Sequence, residues 1–188
     1  MSGRLSRWRL LAGIGLVVAA GIVAFFLLRG GNDSSGVGGE VESGLPATGR
    51  PEAASLDRLR VVAELVGHPV YWAGQQAGRR YELTVEHDGK VYVRYLAPGV
   101  RVGSRKVGSL TIGTYPYIGA LGALQALARQ PGAISKHTPD GGLVVSTETS
   151  PNNVYIAYPR SDVQIEVYDP HAGSALSLAR GGAIVPIG

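Results

Sequence analysis

The chain contains no cysteine, and this absence limits both its chemistry and the ways in which its fold can be stabilised. It excludes a disulfide framework, a thiol nucleophile and a lipid-bearing cysteine after an apolar segment. Any folded domain must therefore be held together by its hydrophobic core.

Charge is also sparse, and lysine in particular is rare. Charged residues make up 17% of the chain, with three Lys against fifteen Arg. Residues 56–188 carry thirteen basic and ten acidic side chains, a mild excess that is far from the dense basic face of a nucleic-acid-binding protein. We therefore expect no nucleic acid among its partners.

The common catalytic and metal-binding motifs are missing as well. Four histidines are present, at 68, 87, 137 and 171, and none forms H-x-x-H or H-E-x-x-H. We predict that His87 occupies a hairpin turn and that His137 and His171 lie in loops. No G-x-S-x-G elbow, Walker loop or dinucleotide fingerprint occurs. The sequence predicts no metal and no cofactor, and it names no catalytic nucleophile.

One long apolar run stands near the amino terminus. Nineteen residues, Leu10 to Leu28, carry no charged or strongly polar side chain. As a helix they would measure about 28 Å, close to the hydrocarbon thickness of a bilayer. The alternative is a cleaved secretory signal, but its apolar core usually has about 7 to 15 residues, and no small-x-small cleavage site follows Phe26. We predict a retained transmembrane helix over 10–28.

Arginine is distributed unevenly around this apolar run. Arg4, Arg7 and Arg9 precede it, whereas Arg29 alone follows it before the acidic residues begin. An excess of positive charge marks the cytoplasmic side of a membrane span. We therefore expect residues 1–9 in the cytoplasm and the carboxyl-terminal part outside the cell membrane, anchored by a single pass through the lipid bilayer.

The next segment has the composition of a linker. Residues 29–55 are rich in glycine, serine, alanine and proline, with scattered acids and no apolar period. Such a segment cannot bury enough apolar surface to offset the entropy lost on ordering. We predict a disordered linker over 29–55 and an extracytoplasmic domain over 56–188, which is long enough for one hydrophobic core.

The domain is predicted to begin with a helix. In LDRLRVVAELVG, apolar residues recur from Leu56 to Val66 at helical spacing. Ser55 stands at the position of an N-cap, and Gly67 ends the pattern. We therefore predict that an amphipathic helix packs one apolar stripe against the rest of the domain.

A β-hairpin is predicted over YELTVEHDGKVYVRYL, residues 81–96, and its register can be argued from its two faces. With a loop of only two residues, polar and apolar side chains would mix on both faces. A three-residue loop that contains His87 and a left-handed Gly89 places Glu82 opposite Arg94 on a polar face. We predict this second register because it sorts the apolar side chains onto the other face.

A second hairpin is predicted over residues 153–170. The chain folds back at 159–162, which sets Val154 opposite Val167 on an apolar face. The alternate side chains then lie on an outer face, where we expect Glu166 to meet solvent; they are Tyr155, Gln164 and Glu166.

The remaining elements complete the predicted fold. Strands are expected at 110–117 and 142–148, and helices at 118–132 and 172–181. The order is helix, strands, helix, strands, helix. We predict an α+β fold in which an antiparallel β-meander sheet carries flanking helices gathered on one face, preceded by one transmembrane helix.

The stretch GHPVYWAG, residues 67–74, raises the question of a binding site. The favoured interpretation is a short strand whose aromatic side chains are part of the core. In the alternative, aromatic and basic side chains form an exposed surface for a peptide, a glycan or an anionic polymer. The residues of that surface are His68, Tyr71, Trp72, Tyr92, Arg101 and Arg105, although a solvated turn is favoured for Arg101 and Arg105.

Residues 65–188 resemble a known group of bacterial membrane proteins. The runs that carry the resemblance are GHPVYWAG, YELT, VYVRYLAPG, LTIGTYPY, YIAYPRSDVQIEVYDP and IVPIG. This group consists of uncharacterised single-pass proteins with a short amino-terminal anchor and an extracytoplasmic α+β domain. The resemblance implies that topology, and it carries no activity, cofactor or catalytic residue.

Taken together, these features predict a membrane-anchored, non-enzymatic module that binds an envelope component, such as a polymer, or a partner membrane protein. One alternative is a cell-envelope hydrolase or transferase in which Asp162 or Asp169 is the acid and His68 is the base. Another is a structural subunit that pairs through small residues of the span. A cleft shared by His68, Tyr71 and a carboxylate would favour the enzyme, and a carboxylate-free aromatic groove would favour the binding module.

Overall fold

The computed structural model describes residues 44–106 and 108–188. Its elements in chain order are β1 (Glu52–Ala54), α1 (Leu56–Leu65), β2 (Tyr71–Trp72), β3 (Arg80–Val85), β4 (Val91–Leu96), β5 (Thr111–Pro116), α2 (Ala120–Ala128), β6 (Ala133–His137), β7 (Leu143–Thr147), β8 (Ser150–Ala157), β9 (Val163–Tyr168), α3 (Ser174–Arg180) and β10 (Val185–Pro186). The predicted α+β class is confirmed.

Eight of these strands form one antiparallel sheet. Their order is β1-β3-β4-β5-β9-β8-β7-β6, while β2 pairs with β10 in a separate ribbon. Two meanders, β3-β4-β5 and β6-β7-β8-β9, are joined through α2, and their last strands pair with each other at the centre of the sheet. β1 and β6 are consequently the two edges.

No helix within the described ranges is long and apolar enough to span a bilayer. The transmembrane helix predicted over 10–28, and the part of the predicted linker before residue 44, lie outside the described residues.

The predicted first helix and first hairpin are confirmed. Ser55 caps α1 by accepting a hydrogen bond from the backbone N–H of Arg58 at 3.1 Å. In the hairpin, Glu82 pairs with Arg94, and Gly89 adopts a left-handed φ of 78°. Its three-residue loop follows from the alternation of apolar and polar side chains, because a shift by one residue would turn every apolar side chain to the other face.

The second hairpin also has the predicted register, with Val154 paired to Val167. The structure differs from the sequence prediction at the edge strand β6. His137 is the last residue of β6, where a loop was predicted. The sequence of this strand, AISKH, gives no clear apolar alternation, because an edge strand with four exposed residues has no buried face to specify.

Residues 44–55 differ from the predicted disordered linker. β1 pairs with β3, and Glu52 Oε1 accepts a hydrogen bond from Arg58 Nε at 2.7 Å. Further along the same edge, the backbone N–H of Gly49 donates to the carbonyl of Val85 at 2.8 Å. Residues 44–55 are ordered because their backbone pairs with an open edge of the sheet. Neither composition nor apolar periodicity predicts such pairing.

Helices lie on both faces of the sheet, which corrects the prediction that they gather on one. α1, α3 and the β2–β10 ribbon share a core with one face of the sheet. α2 packs on the opposite face, where Leu124 and Leu127 meet Val145 and Tyr155. Strands β7 and β8 are therefore covered on both sides, and their residues are apolar in both directions.

The loop over residues 97–110 covers another part of the second face. Glu82 and Arg94 lie beneath it, each with a side chain only 2% exposed, and form an ion pair with Oε1 and Nη1 3.5 Å apart. Glu82 Oε2 also accepts from the backbone N–H of Gly103 at 2.7 Å. Arg94 donates from Nη1 to the carbonyl of Ser104 at 2.6 Å and from Nη2 to the carbonyl of Lys106. The polar face of the first hairpin is thus interior.

Candidate functional site

The predicted aromatic residues near the start of the domain belong to its core. Trp72 is 9% exposed, and its ring meets that of Tyr81 edge to face at 5.8 Å between centroids. Tyr71 is half-buried and stacks on Tyr158 at 5.9 Å. The favoured interpretation of this stretch, a short strand that contributes to the core, agrees with this placement.

His68 links the end of α1 to the turn of the first hairpin. Its Nδ1 lies 3.0 Å from the carbonyl oxygen of Pro69, and its Nε2 lies 2.8 Å from that of Gly89. Both ring nitrogens therefore face backbone carbonyls. The two proposed acids make other contacts: Asp162 Oδ1 accepts from the backbone N–H of Gly119 at 3.3 Å, and Asp169 contacts His171.

Tyr92 lies on the opposite face from Tyr71 and Trp72, so the predicted binding residues do not converge. It packs edge to face on Tyr115, with ring centroids 5.7 Å apart. Both rings are buried. The other two predicted residues, Arg101 and Arg105, are exposed on the loop over 97–110.

Glu166 is the centre of a buried polar cluster, which corrects the prediction that it meets solvent. Its side chain is fully buried. Tyr115 donates to Oε2 at 2.5 Å, Asn153 Nδ2 donates to Oε1 at 2.5 Å, and the hydroxyl of Tyr155 lies 3.5 Å from Oε1. We call Tyr115, Asn153, Tyr155 and Glu166 the Glu166 cluster. Because Glu166 is not accessible to solvent, the Glu166 cluster acts as part of the scaffold.

The position of Tyr115 depends on a glycine in the same strand. A Cβ placed on Gly113 would lie 2.5 Å from the Tyr115 hydroxyl oxygen and 2.7 Å from its Cζ. Real Cβ atoms do not approach other atoms so closely, so only glycine leaves room for the ring to lie across the strand. The ring can then bring its hydroxyl to Glu166.

Burial shifts the ionisation of these tyrosines. Desolvation, followed by the charge of Glu166, raises the pKa of Tyr115 and Tyr155 well above the usual value. Desolvation also raises the pKa of Tyr92, with the Glu166 charge acting in the same direction and a hydrogen bond with Tyr115 opposing it. All three phenols are therefore held in the neutral form.

These shifts predict alkaline unfolding. Tyrosine in the unfolded chain ionises near pH 10, whereas the buried phenols stay protonated to higher pH. Their contribution to stability is complete below about pH 10 and is lost as the pH rises towards the folded-state values. We expect phenolate absorbance of these residues to appear together with loss of near-ultraviolet circular dichroism. Reversible ionisation of Tyr92, Tyr115 or Tyr155 near pH 10 with an intact dichroism spectrum would contradict this.

A cleft of about 680 Å³ opens at the end of the sheet remote from the first hairpin turn. It lies beside the point where β5 begins and β9 ends, which the pairing of Thr111 with Tyr168 fixes. Segments far apart in sequence form its walls. Its polar side chains include Arg79, Ser109, Asp169, His171, Ser174 and Ser177.

Asp169 and His171 form a local pair in this cleft. Asp169 Oδ1 lies 2.9 Å from His171 Nδ1 and also accepts from the backbone N–H of His171 at 2.8 Å. The imidazole is 84% exposed, whereas Asp169 is 13% exposed. Of the described residues that line the cleft, Asp169 alone carries a carboxylate. With that carboxylate engaged, the guanidinium of Arg79 and the serine hydroxyls remain to meet a ligand.

Metal binding has no support in residues 44–106 and 108–188. No group of three or more histidine or carboxylate side chains comes close enough there to hold an ion.

A second, smaller cleft of about 370 Å³ lies between α2 and the β6–β7 turn, and Leu121, Ala128 and Leu143 are among its lining residues. Its walls offer fewer hydrogen-bonding side chains than those of the first cleft.

The larger cleft was not predicted from the sequence. Arginine is a common anion-binding residue and Asp-Pro a common turn sequence, but nothing in the sequence places Arg79 and Asp169 together. The signal that was present is the spacing of Asp169 and His171, since an Asp side chain commonly bonds the backbone two residues later. Ser109, Ser174 and Ser177 lie in segments that only the pairing of β5 with β9 brings to one end.

Comparisons with protein-family models, with curated proteins and with solved structures find no match to this chain.

Proposed function

We propose that the chain is a membrane-anchored binding module on the outer face of a bacterial cell membrane, and that the larger cleft takes an anionic group of an envelope component. The observation that carries this proposal is the lining of the cleft: a guanidinium and three hydroxyls, with its carboxylate already bound to His171. The arrangement offers the hydrogen-bond donors of a guanidinium and three hydroxyls to a ligand.

The anchor rests on the apolar run at 10–28 and the excess of arginine before it. The described domain starts at residue 44, so fifteen residues, 29–43, separate it from the end of the run. A linker of the composition predicted for these residues would span about 21 Å. The domain would therefore stay near the membrane surface, within reach of polymers that lie there.

The side chains in the cleft suit a phosphate or carboxylate borne on a hydroxyl-rich polymer. Arginine presents a planar fork of donors that matches either anion with two hydrogen bonds. Ser109, Ser174 and Ser177 can donate to, or accept from, neighbouring hydroxyls of the polymer. The cleft is open to solvent, so one unit of a long chain can enter while the rest remains outside.

A second candidate function, an envelope hydrolase or transferase, is favoured by one observation in the same cleft. The carboxylate of Asp169 holds His171 Nδ1, an arrangement that leaves Nε2 directed to another group, as in a general base. The pair is also what an Asp turn produces without catalysis, because Asp169 bonds the backbone N–H of His171 as well. The binding module therefore remains the stronger candidate.

The test measures ligand binding by the full-length chain in lipid nanodiscs. The probes are a phosphodiester-linked glycerol oligomer, a polyuronate oligomer and an uncharged dextran oligomer of matched length, titrated by calorimetry. Arg79→Gln is expected to weaken binding of an anionic probe by about 10- to 100-fold, since it removes a charge-assisted hydrogen bond. Arg101→Gln, which removes an exposed arginine outside the cleft, is expected to change it by less than about twofold.

Three outcomes would contradict the binding proposal. Equal losses in Arg79→Gln and Arg101→Gln would indicate non-specific attraction to a basic protein. Binding of dextran as tight as that of the anionic oligomers would remove the role of charge. Cleavage of an oligomer during the titration, abolished by His171→Gln, would establish the hydrolase instead.

A further inference from the structure

The loop between β5 and α2 exposes two large apolar side chains at the end of the sheet opposite the larger cleft. Ile118 is 87% exposed, which is more than any other large apolar residue in the described ranges, and Tyr117 beside it is 39% exposed. Isolated exposed apolar residues are common. A nearly bare isoleucine next to a partly exposed tyrosine at a loop tip is an arrangement that suits a membrane interface.

The backbone of this loop is fixed by the neighbouring turn, so the exposure is built into the fold. The N–H of Tyr117 donates to the carbonyl of Asp162 at 2.7 Å, and the N–H of Gly119 donates to Asp162 Oδ1 at 3.3 Å. Gly119 holds a φ of 78°, which favours glycine. Arg160 in the adjoining turn is exposed and places a cation near the apolar tip.

The amino-terminal segment of the domain passes the same end of the sheet. β3 and β5 run in the same direction, because each is antiparallel to β4. Val85 and Pro116, at their carboxyl ends, therefore lie at one end of the sheet. Gly49 bonds to Val85 there. Before Gly49 the chain turns back along this edge, and the carbonyl of Gly44, the first described residue, accepts from Arg58 Nη1 at 2.6 Å. The fifteen residues 29–43 between Gly44 and the apolar run are long enough to let the exposed loop reach the bilayer.

We propose that Tyr117 and Ile118 rest in the interfacial layer of the bilayer that anchors the chain, with Arg160 facing lipid phosphates. This inference rests on the membrane anchor of the proposed function. Isoleucine buries its side chain at the level of the acyl chains, tyrosine suits the headgroup region, and arginine attracts phosphate. Because the tether already holds the domain near the surface, a contact this small is sufficient to orient it. The larger cleft then faces away from the membrane, towards the envelope.

The test exploits the absence of cysteine, which allows a single fluorophore to be placed anywhere. Ile118→Cys and the matched control Ile134→Cys are each labelled with an environment-sensitive dye in the full-length chain. Ile134 is 41% exposed and lies near the start of β6, at the other end of the sheet. The proteins are inserted into vesicles of phosphatidylglycerol and phosphatidylcholine with and without a headgroup-proximal nitroxide lipid. We expect a blue shift and quenching at 118 and neither at 134.

Flotation of the vesicles is measured first and separates the two proposals. A chain that fails to float with the vesicles would overturn the anchor, and with it the proposed function. A chain that floats but shows equal quenching at 118 and 134 would overturn the loop contact and leave the anchor standing. A blue shift at 118 that appears only at high protein density, without quenching by lipid, would identify a second copy as the occupant and also overturn the proposal.

Discussion

Replacement of Arg94 by methionine is expected to lower the free energy of unfolding by about 3–5 kcal/mol, because it leaves the carboxylate of Glu82 buried without its cation. Both side chains are 2% exposed and lie beneath the loop over 97–110. Removing one member of a buried pair costs far more than removing a surface ion pair, whose net value is about 0–1 kcal/mol. The size of the stability loss therefore shows whether water is excluded from this face of the sheet.

The loop over 97–110 should loosen at the same time. Arg94 donates to the carbonyls of Ser104 and Lys106, while Glu82 accepts from the N–H of Gly103. These bonds tie the loop to two neighbouring strands. In Arg94→Met, we expect faster amide exchange at Gly103 and faster proteolysis in the loop, together with the loss of global stability.

The double variant Glu82→Leu/Arg94→Met separates the cost of an unpaired charge from the cost of lost packing. With both charges absent, the buried carboxylate penalty disappears, so we expect the double variant to regain more than half of the stability lost in Arg94→Met. Arg101→Met, in the same loop but exposed, is expected to change stability by less than about 0.5 kcal/mol. Chemical denaturation measures all three. A loss below about 1 kcal/mol in Arg94→Met would show that water reaches the pair.

The registers of both hairpins could be predicted, because they depend on short-range alternation. In the first hairpin, only the three-residue loop separated the polar face from the apolar one, and in the second the turn over 159–162 set Val154 opposite Val167. The pairs Glu82–Arg94 and Val154–Val167 confirm both registers. Such patterns are specified within about sixteen residues of chain, where the turn and the two strands constrain one another.

The burial of the polar faces could not be predicted in the same way. The alternation correctly places Glu166 on the face of β9 opposite to its valine and isoleucine side chains. The segments that cover this face, however, lie elsewhere in the chain. α2 packs over β7 and β8, and the loop over 97–110 lies over Glu82 and Arg94. Since a polar residue in an alternating strand usually meets water, only the tertiary contacts show that these do not.

The candidate site has the same origin, in contacts between distant segments. The larger cleft exists because β5 and β9 pair at the centre of the sheet and bring the ends of two meanders together. Arg79 and His171 are ninety-two positions apart, and neither belongs to a motif that would link them. Chemistry carried by a short motif can be read from sequence, whereas a cleft assembled by strand order requires the fold.

Replacement of Glu166 by alanine is expected to lower the free energy of unfolding by about 3–5 kcal/mol. It removes the acceptor of Tyr115 and Asn153 and leaves a small cavity at the centre of the sheet. Glu166→Gln keeps the shape but replaces one acceptor oxygen with an NH₂ donor, so we expect a smaller loss of about 1–3 kcal/mol. Glu148→Gln, the same substitution at an exposed position, should be nearly neutral.

A structural role for Glu166 also predicts that its effect on stability is coupled to that of Gly113. A simple loss of charge would not produce this coupling. Tyr115 reaches Glu166 only because Gly113 leaves space for its ring. Gly113→Ala should therefore displace Tyr115, and its effect should fall sharply in a Glu166→Gln background, because the bond that it breaks is already weakened. Thermal and chemical denaturation of the single and double variants would measure this coupling. Additive losses would mean that Gly113 and Glu166 act separately and that the Glu166 cluster is not a coupled unit.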